Sequence, residues 1–263
     1  MKEITAIIVM LITIYLLISA YLYLYQRNLI YFPVSQDPTF RAQEIVIDNR
    51  GVKLHGWVLN PGKKKAVIYF GGNSELVTHR SDYFATVFAD YSVYLVNYRG
   101  YGKSEGDPSE SALFSDALAI YDHIRERHVS DGKILITAYG RSLGSGVAVY
   151  LAANRQLEQL ILLTPYDSIA EVAQKLYPLF PVRWLIKDRF DSASRAAEIT
   201  IPVLIGGAEL DRVIDLQHTL ALRRRFTHAR VEYQQIKGAA HNDIIDFPQY
   251  RALVESFITR KGN

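Results

Sequence analysis

The chain opens with a run from Ile4 to Tyr25 that carries no charge and is nearly all apolar or aromatic, 22 residues in all. At 1.5 Å per residue this makes a helix of roughly 33 Å, enough to cross a bilayer. Tyr21, Tyr23 and Tyr25, followed by Arg27, form a belt of the kind that sits at headgroup level. Lys2 ahead of the run and the small pair Ser19-Ala20 allow a cleaved signal peptide as the competing reading. Ile18 suits a cleavage site poorly and the run is long, so an uncleaved anchor is expected. Lys2 on one side stands against Arg27 and Arg41 on the other, nearly a tie under the positive-inside rule; the orientation taken is amino terminus inside, folded body outside.

Past a connector with Pro33 and Pro38, short β-branched runs alternate with longer amphipathic stretches, punctuated by Gly, Pro and Asp. The expected strands are Glu44–Asp48, Leu54–Leu59, Ala66–Phe70, Val93–Asn97, Ile134–Ala138, Leu160–Leu163, Val203–Ile205 and Val231–Ile236. Helices are expected over Leu76–Ala89, Ser109–Arg127, Leu143–Ala153, Asp215–Phe226 and Pro248–Thr259. The first two strands are close enough for an antiparallel pair, and the later ones are joined by helix-length crossovers that parallel pairing needs. The fold class is therefore α/β, an eight-stranded, mostly parallel sheet with helices on both faces. The expected division is 1–25 anchor, 26–40 connector and 41–263 folded body, with 165–202 forming a small helical cap.

Composition narrows the chemistry. Thirty basic against 27 acidic side chains, with no long basic run, give no electrostatic footprint for nucleic acid. The absence of cysteine excludes a disulfide framework, a thiolate metal site and a cysteine nucleophile. Neither H-E-x-x-H spacing nor a G-x-x-x-x-G-K-[ST] phosphate loop is present, so no metal or cofactor is expected.

In sheets of this kind ligands bind beyond the carboxyl ends of the strands. After Ile134–Ala138 comes Gly140-Arg141-Ser142-Leu143-Gly144, a G-x-S-x-G pattern between an apolar strand and an amphipathic helix. Such a turn thrusts the serine out, and a Cβ at either glycine would strike the strand or helix beside it. Ser142 is the candidate nucleophile; a glycine-lined turn with a capping serine is the bland alternative. A serine needs a base, and of the seven histidines His241 follows the last strand, as the order Ser…Asp…His requires. His55 falls in a strand, His79, His123, His128 and His218 on helices with surface-like spacing, and His228 at a helix end. Asp211, after Val203–Ile205, is the acid expected to orient His241; Glu209, Asp167 and Asp215 are its competitors, and a cap or turn role suits Asp167 and Asp215 better. The backbone amides of Asn73, in Gly71-Gly72-Asn73-Ser74, and of Leu143 are the candidate oxyanion donors.

These residues resemble the α/β hydrolases, and within them a membrane-anchored group that includes depalmitoylating thioesterases, lysophospholipid lipases and serine aminopeptidase-like hydrolases. The likeness runs through nearly the whole chain. It rests on Gly140–Gly144, on Asn97-Tyr98-Arg99-Gly100-Tyr101-Gly102-Lys103-Ser104, on Pro202–Ile205 leading to Asp211, on His241-Asn242, and on Gln26–Pro33 after the anchor. The resemblance implies catalytic roles for Ser142, Asp211 and His241 and an architectural turn at Tyr98–Ser104. Two departures stand out: Gly71 where relatives commonly carry histidine, and Gly207-Ala208-Glu209 in place of a small or polar run. The expected activity is hydrolysis of carboxyl esters or thioesters of lipid or acylated substrates through an acyl-serine, without a cofactor. A serine aminopeptidase and a noncatalytic membrane-bound scaffold are the rivals. Leu176, Tyr177, Leu179, Phe180, Trp184, Leu185, Ile186 and Phe190 are expected either to line an acyl site over Ser142 or to fasten the cap to the body.

Overall fold

The computed structural model describes residues 1–127 and 134–260. Eight strands form one sheet: β1 (Gln43–Asn49), β2 (Val52–Leu59), β3 (Lys65–Phe70), β4 (Ser92–Val96), β5 (Leu135–Arg141), β6 (Gln159–Leu163), β7 (Val203–Ala208) and β8 (Val231–Ile236). Their spatial order is β1-β2-β4-β3-β5-β6-β7-β8. β2 runs antiparallel to both β1 and β4, and all other neighbours are parallel. β4, β6 and β7 are buried along their whole length, as strands covered on both faces must be, while edge strand β1 alternates between exposed and buried positions.

The principal helices are α1 (Lys2–Ile30), α2 (Ser81–Val87), α3 (Glu110–Arg127) and α4 (Leu143–Asn154), followed by α5 (Ile169–Leu176), α6 (Val182–Leu185), α7 (Ser192–Ala196), α8 (Leu216–Arg223) and α9 (Pro248–Thr259). The period-two alternation of strand side chains divides the core. Ile68 faces a cluster with Leu113 of α3 and Val147 of α4, whereas Val67 and Tyr69 face Phe84 of α2 and Tyr250 of α9. The turn Tyr98–Ser104 is architectural: Arg99 forks onto Asp116 of α3, and Asp116 also accepts from Asn49 at 2.7 Å.

Several bounds differ from the sequence reading: β5 runs on to Arg141 rather than Ala138, β7 to Ala208 rather than Ile205, and α8 stops at Arg223 rather than Phe226. α1 continues through Ile30, past Tyr25 and into the stretch read as connector. α2 begins at Ser81 rather than Leu76, because the side chains ahead of it are drawn into the loop after β3: Glu75 binds the Tyr69 hydroxyl and Val77 is buried. The segment between β6 and β7 carries α5, α6 and α7, and its apolar residues face different ways. Leu176, Tyr177, Phe180, Leu185 and Ile186 line a cavity over Ser142, Leu176 while largely exposed, and Leu179 and Trp184 are exposed. Phe190, fully buried, packs edge-on against Phe114 at 5.4 Å and Tyr31 at 6.4 Å.

Phe190 thus fastens this segment to the body. Phe190→Ala is expected to lower the unfolding free energy by about 3–5 kcal/mol, measured by urea denaturation in detergent. A loss below about 1 kcal/mol would show that the segment is held elsewhere.

Candidate active site

β5 ends in a turn that only close approach permits. Ser142 sits at φ 50° and ψ −120°, a left-handed backbone rare for a residue with a side chain. The glycines around it make room: a Cβ on Gly140 would lie 2.5 Å from the Gly144 carbonyl oxygen, and one on Gly144 would run into the Phe70 carbonyl of β3. α4 starts immediately after Ser142, so its free amide groups and positive dipole end point towards charge arising beside the serine.

Three loops from the carboxyl ends of β5, β7 and β8 converge here. Ser142 Oγ lies 2.9 Å from His241 Nε2, and His241 Nδ1 lies 2.8 Å from Asp211 Oδ2. The other Asp211 oxygen, Oδ1, accepts from the amides of Val213 at 2.9 Å and Ile214 at 2.8 Å, which leaves Oδ2 to the imidazole. With Nδ1 protonated towards Asp211, Nε2 is free to accept the serine proton.

The competing acids are engaged elsewhere. Glu209 accepts from the Gly238 amide at 2.8 Å, and Asp215 caps α8 through the Gln217 amide while pairing with Lys175. Asp167 accepts from the Ser168 amide and lies 2.8 Å from His218 Nδ1. His218 is therefore not a surface residue as its spacing suggested, for both side chains of that pair are largely buried. His79 lies in a turn ahead of α2 rather than on a helix, and His128 falls outside the described residues.

Asn73 and Leu143 both border the cavity above Ser142. The Gly71–Asn73 loop, which has no histidine, is held instead by a set of hydrogen bonds, one of them from the Phe32 amide to the Asn73 carbonyl at 3.4 Å. Tyr98 donates to the Gly71 carbonyl at 2.9 Å, the Gly72 amide donates to Glu75 at 2.7 Å, Tyr101 donates to the Asn73 carbonyl at 2.6 Å, and the Asn73 amide side chain donates to the Ile30 carbonyl at the end of α1 at 3.1 Å.

Sequence reasoning passed over the residue next to the serine. Arg141 forms a buried ion pair with Glu75 at 2.6 Å and donates to Asn242 Oδ1 at 2.9 Å and to the His241 carbonyl at 3.3 Å. Burial opposes the Arg141 charge, but the Glu75 carboxylate beside it favours that charge, and the Arg141 pKa lies above the ordinary value. Burial and Glu75 push the Tyr69 hydroxyl well above its own ordinary range, so it remains a donor to Glu75. One pair thereby ties the loop after β3 to the serine turn and to the histidine loop. The available signal was weak: an arginine within G-x-S-x-G and an acid three residues after Gly72 look like surface charges in a sequence.

Residues 62–191 match the family described as serine aminopeptidase, S33. The chain is 31% identical over 207 residues to α/β hydrolase domain-containing protein 17B of Xenopus tropicalis, covering 77% of this chain and 69% of that one. It is 34% identical over 233 residues to an uncharacterized protein of Mycobacterium tuberculosis, covering 83% of this chain and 81% of that one. A Pyrococcus furiosus esterase has the same fold, with a TM-score of 0.70 at 19% identity, covering 88% of this chain and 98% of that one. This chain belongs to the α/β-hydrolase family and is a hydrolase.

Removing one member of the buried pair strands the charge of the other. Glu75→Gln is expected to lower the unfolding free energy by about 3–5 kcal/mol, and adding Arg141→Met to recover much of that loss. Urea denaturation of both proteins measures this; a double variant no more stable than Glu75→Gln alone would contradict the role given to the pair.

Proposed function

We propose that the chain is a serine hydrolase that cleaves carboxyl esters or thioesters of lipid or acylated substrates, with Ser142 as nucleophile, His241 as general base and Asp211 as the group that orients it. The observation that carries this reading is the unbroken relay Asp211–His241–Ser142, at 2.8 Å and 2.9 Å, whose Ser142 lines an apolar cavity of about 250 Å³. An engineered cavity of about 150 Å³ holds a benzene ring, so there is room here for a hydrocarbon chain.

In this mechanism Ser142 Oγ attacks the acyl carbonyl carbon as His241 Nε2 takes its proton. The carbonyl oxygen becomes an oxyanion facing the amides of Asn73 and Leu143. The bond to the leaving oxygen or sulfur breaks as His241 returns the proton to it. A water, deprotonated by His241, then attacks the acyl-serine, frees the carboxylic acid and restores Ser142. α1 is proposed to hold this site at a membrane. It is the one helix among the described residues long and apolar enough to cross a bilayer, and the reading taken places its amino terminus inside.

The aminopeptidase reading draws on the name of the matching family. A free α-amine calls for a carboxylate in the cavity, and among the described residues the lining holds no acidic side chain. Glu209 and Asp167 are already engaged.

A panel of acyl esters from two to sixteen carbons, acyl thioesters and aminoacyl amides, run on detergent-solubilised protein, tests this. Ester or thioester turnover is expected to rise with chain length until the cavity is filled, and to fall by about 10⁴-fold or more in Ser142→Ala and in His241→Ala. Preference for aminoacyl amides, or full activity in folded Ser142→Ala, would overturn the reading.

A further inference from the structure

α1 does not leave the body once it has reached it. Tyr15, Ser19, Leu22, Gln26 and Ile30 recur at spacings of three and four, which places them on one face. That face lies along the segment between β6 and β7. Tyr15 stacks on Phe180 at 5.1 Å and its hydroxyl donates to the Leu179 carbonyl at 3.1 Å. Gln26, the one buried residue of α1, accepts from the Lys187 amide at 2.6 Å, and Arg27 pairs with buried Asp188 at 3.0 Å, which also accepts from Tyr31. Between these fastenings Ser19, Leu22 and Gln26 form one wall of the cavity that Ser142 also lines.

The length of α1 then sets the depth of the site. Ahead of Tyr15 the apolar run has only Ile4–Ile14, ~17 Å of helix against a hydrocarbon core of ~30 Å. Tyr15 lies ~15 Å along the helix from Tyr25. A helix that spans the bilayer must therefore carry the Leu179–Phe180 tip into the leaflet. The side chains there suit such a place: Leu176 is 64% exposed, Leu179 79% and Trp184 88%. The ion pair Arg183–Glu171 within the segment, and Lys175 of the segment with Asp215 at the cap of α8, mark the level at which it returns to water.

We propose that the cavity takes the acyl chain of an ester lipid directly from the leaflet, between α1 and the α5–α6 segment, and that Ser19 and Leu22 of α1 set the length of chain accepted. This rests on the esterase reading above and adds to it a source for the substrate and a second role for the anchor. The Asn73 contact with the Ile30 carbonyl extends that role to the loop facing the oxyanion.

Full-length protein in phosphatidylcholine nanodiscs provides two independent readouts. In the first, the ratio of kcat/KM for a sixteen-carbon over a four-carbon p-nitrophenyl ester is expected to fall at least about 10-fold in Ser19→Phe and Leu22→Trp, as several methylenes lose their burial. Ile8→Phe, on α1 but away from the cavity, should leave the ratio as in the wild type. The second needs no activity. Of the two tryptophans, Trp57 is 2% exposed and Trp184 88%, so lipid brominated along its acyl chains should quench Trp184, and Trp184→Phe should abolish that component. An unchanged ratio in both cavity variants, or a Trp184 reached by aqueous iodide but not by brominated lipid, overturns the proposal. A wild type that cleaves no acyl ester defeats the esterase reading instead, and with it the chain-length role, while the quenching result still decides whether the tip sits in the leaflet.

Discussion

A serine held at φ 50° between the end of β5 and the first turn of α4 demands that strand, helix and neighbouring strand nearly touch. Gly140 meets α4 and Gly144 meets the end of β3, so the close approach that exposes Ser142 also brings the Gly71–Asn73 loop beside it. The exposure of the candidate nucleophile and the placing of the candidate oxyanion amides are thus products of one steric condition. The parallel order β3-β5-β6-β7-β8 then delivers the loops bearing Asp211 and His241 to the same edge of the sheet.

A strained turn needs neighbours that over-determine it, and here they are largely polar. Arg141 reaches the loops on either side of the serine through Glu75, Asn242 and the His241 carbonyl. An ion pair this enclosed contributes little net stability, because desolvation cancels much of its attraction. Its value lies in geometry, since two charges that must meet fix the spacing of three loops. Tyr98, Tyr101 and the end of α1 hold the outer side of the same loop, so the apolar N-terminal helix and the candidate site share a support.

How far the sequence could be read follows from how local each signal is. The sheet was legible because buried parallel strands are short apolar runs with helix-length spacers. The convergence of Ser142, Asp211 and His241 was legible because their turns follow such runs in a fixed order. Arg141–Glu75 is a pairing across 66 residues of chain, and nothing local distinguishes its members from surface charges. The inward face of α1 was hidden for the opposite reason: in a helix apolar all round, Ser19 and Leu22 do not stand out, and the partner that selects them lies more than 150 residues away. The apolar residues between Pro165 and Pro202 showed that something had to be covered. Which of them would face the cavity, the body or the outside depended on how the short helices turn, and the sequence pattern carries no record of that.

The measurement that bears most directly on this account is covalent mapping with an alkyl fluorophosphonate. The account predicts one phosphonyl group per chain, carried by Ser142 in tandem mass spectrometry of the digested protein, with no adduct on folded Ser142→Ala and strongly slowed labelling in His241→Ala. An adduct on any other residue, or undiminished labelling of Ser142→Ala, would contradict it.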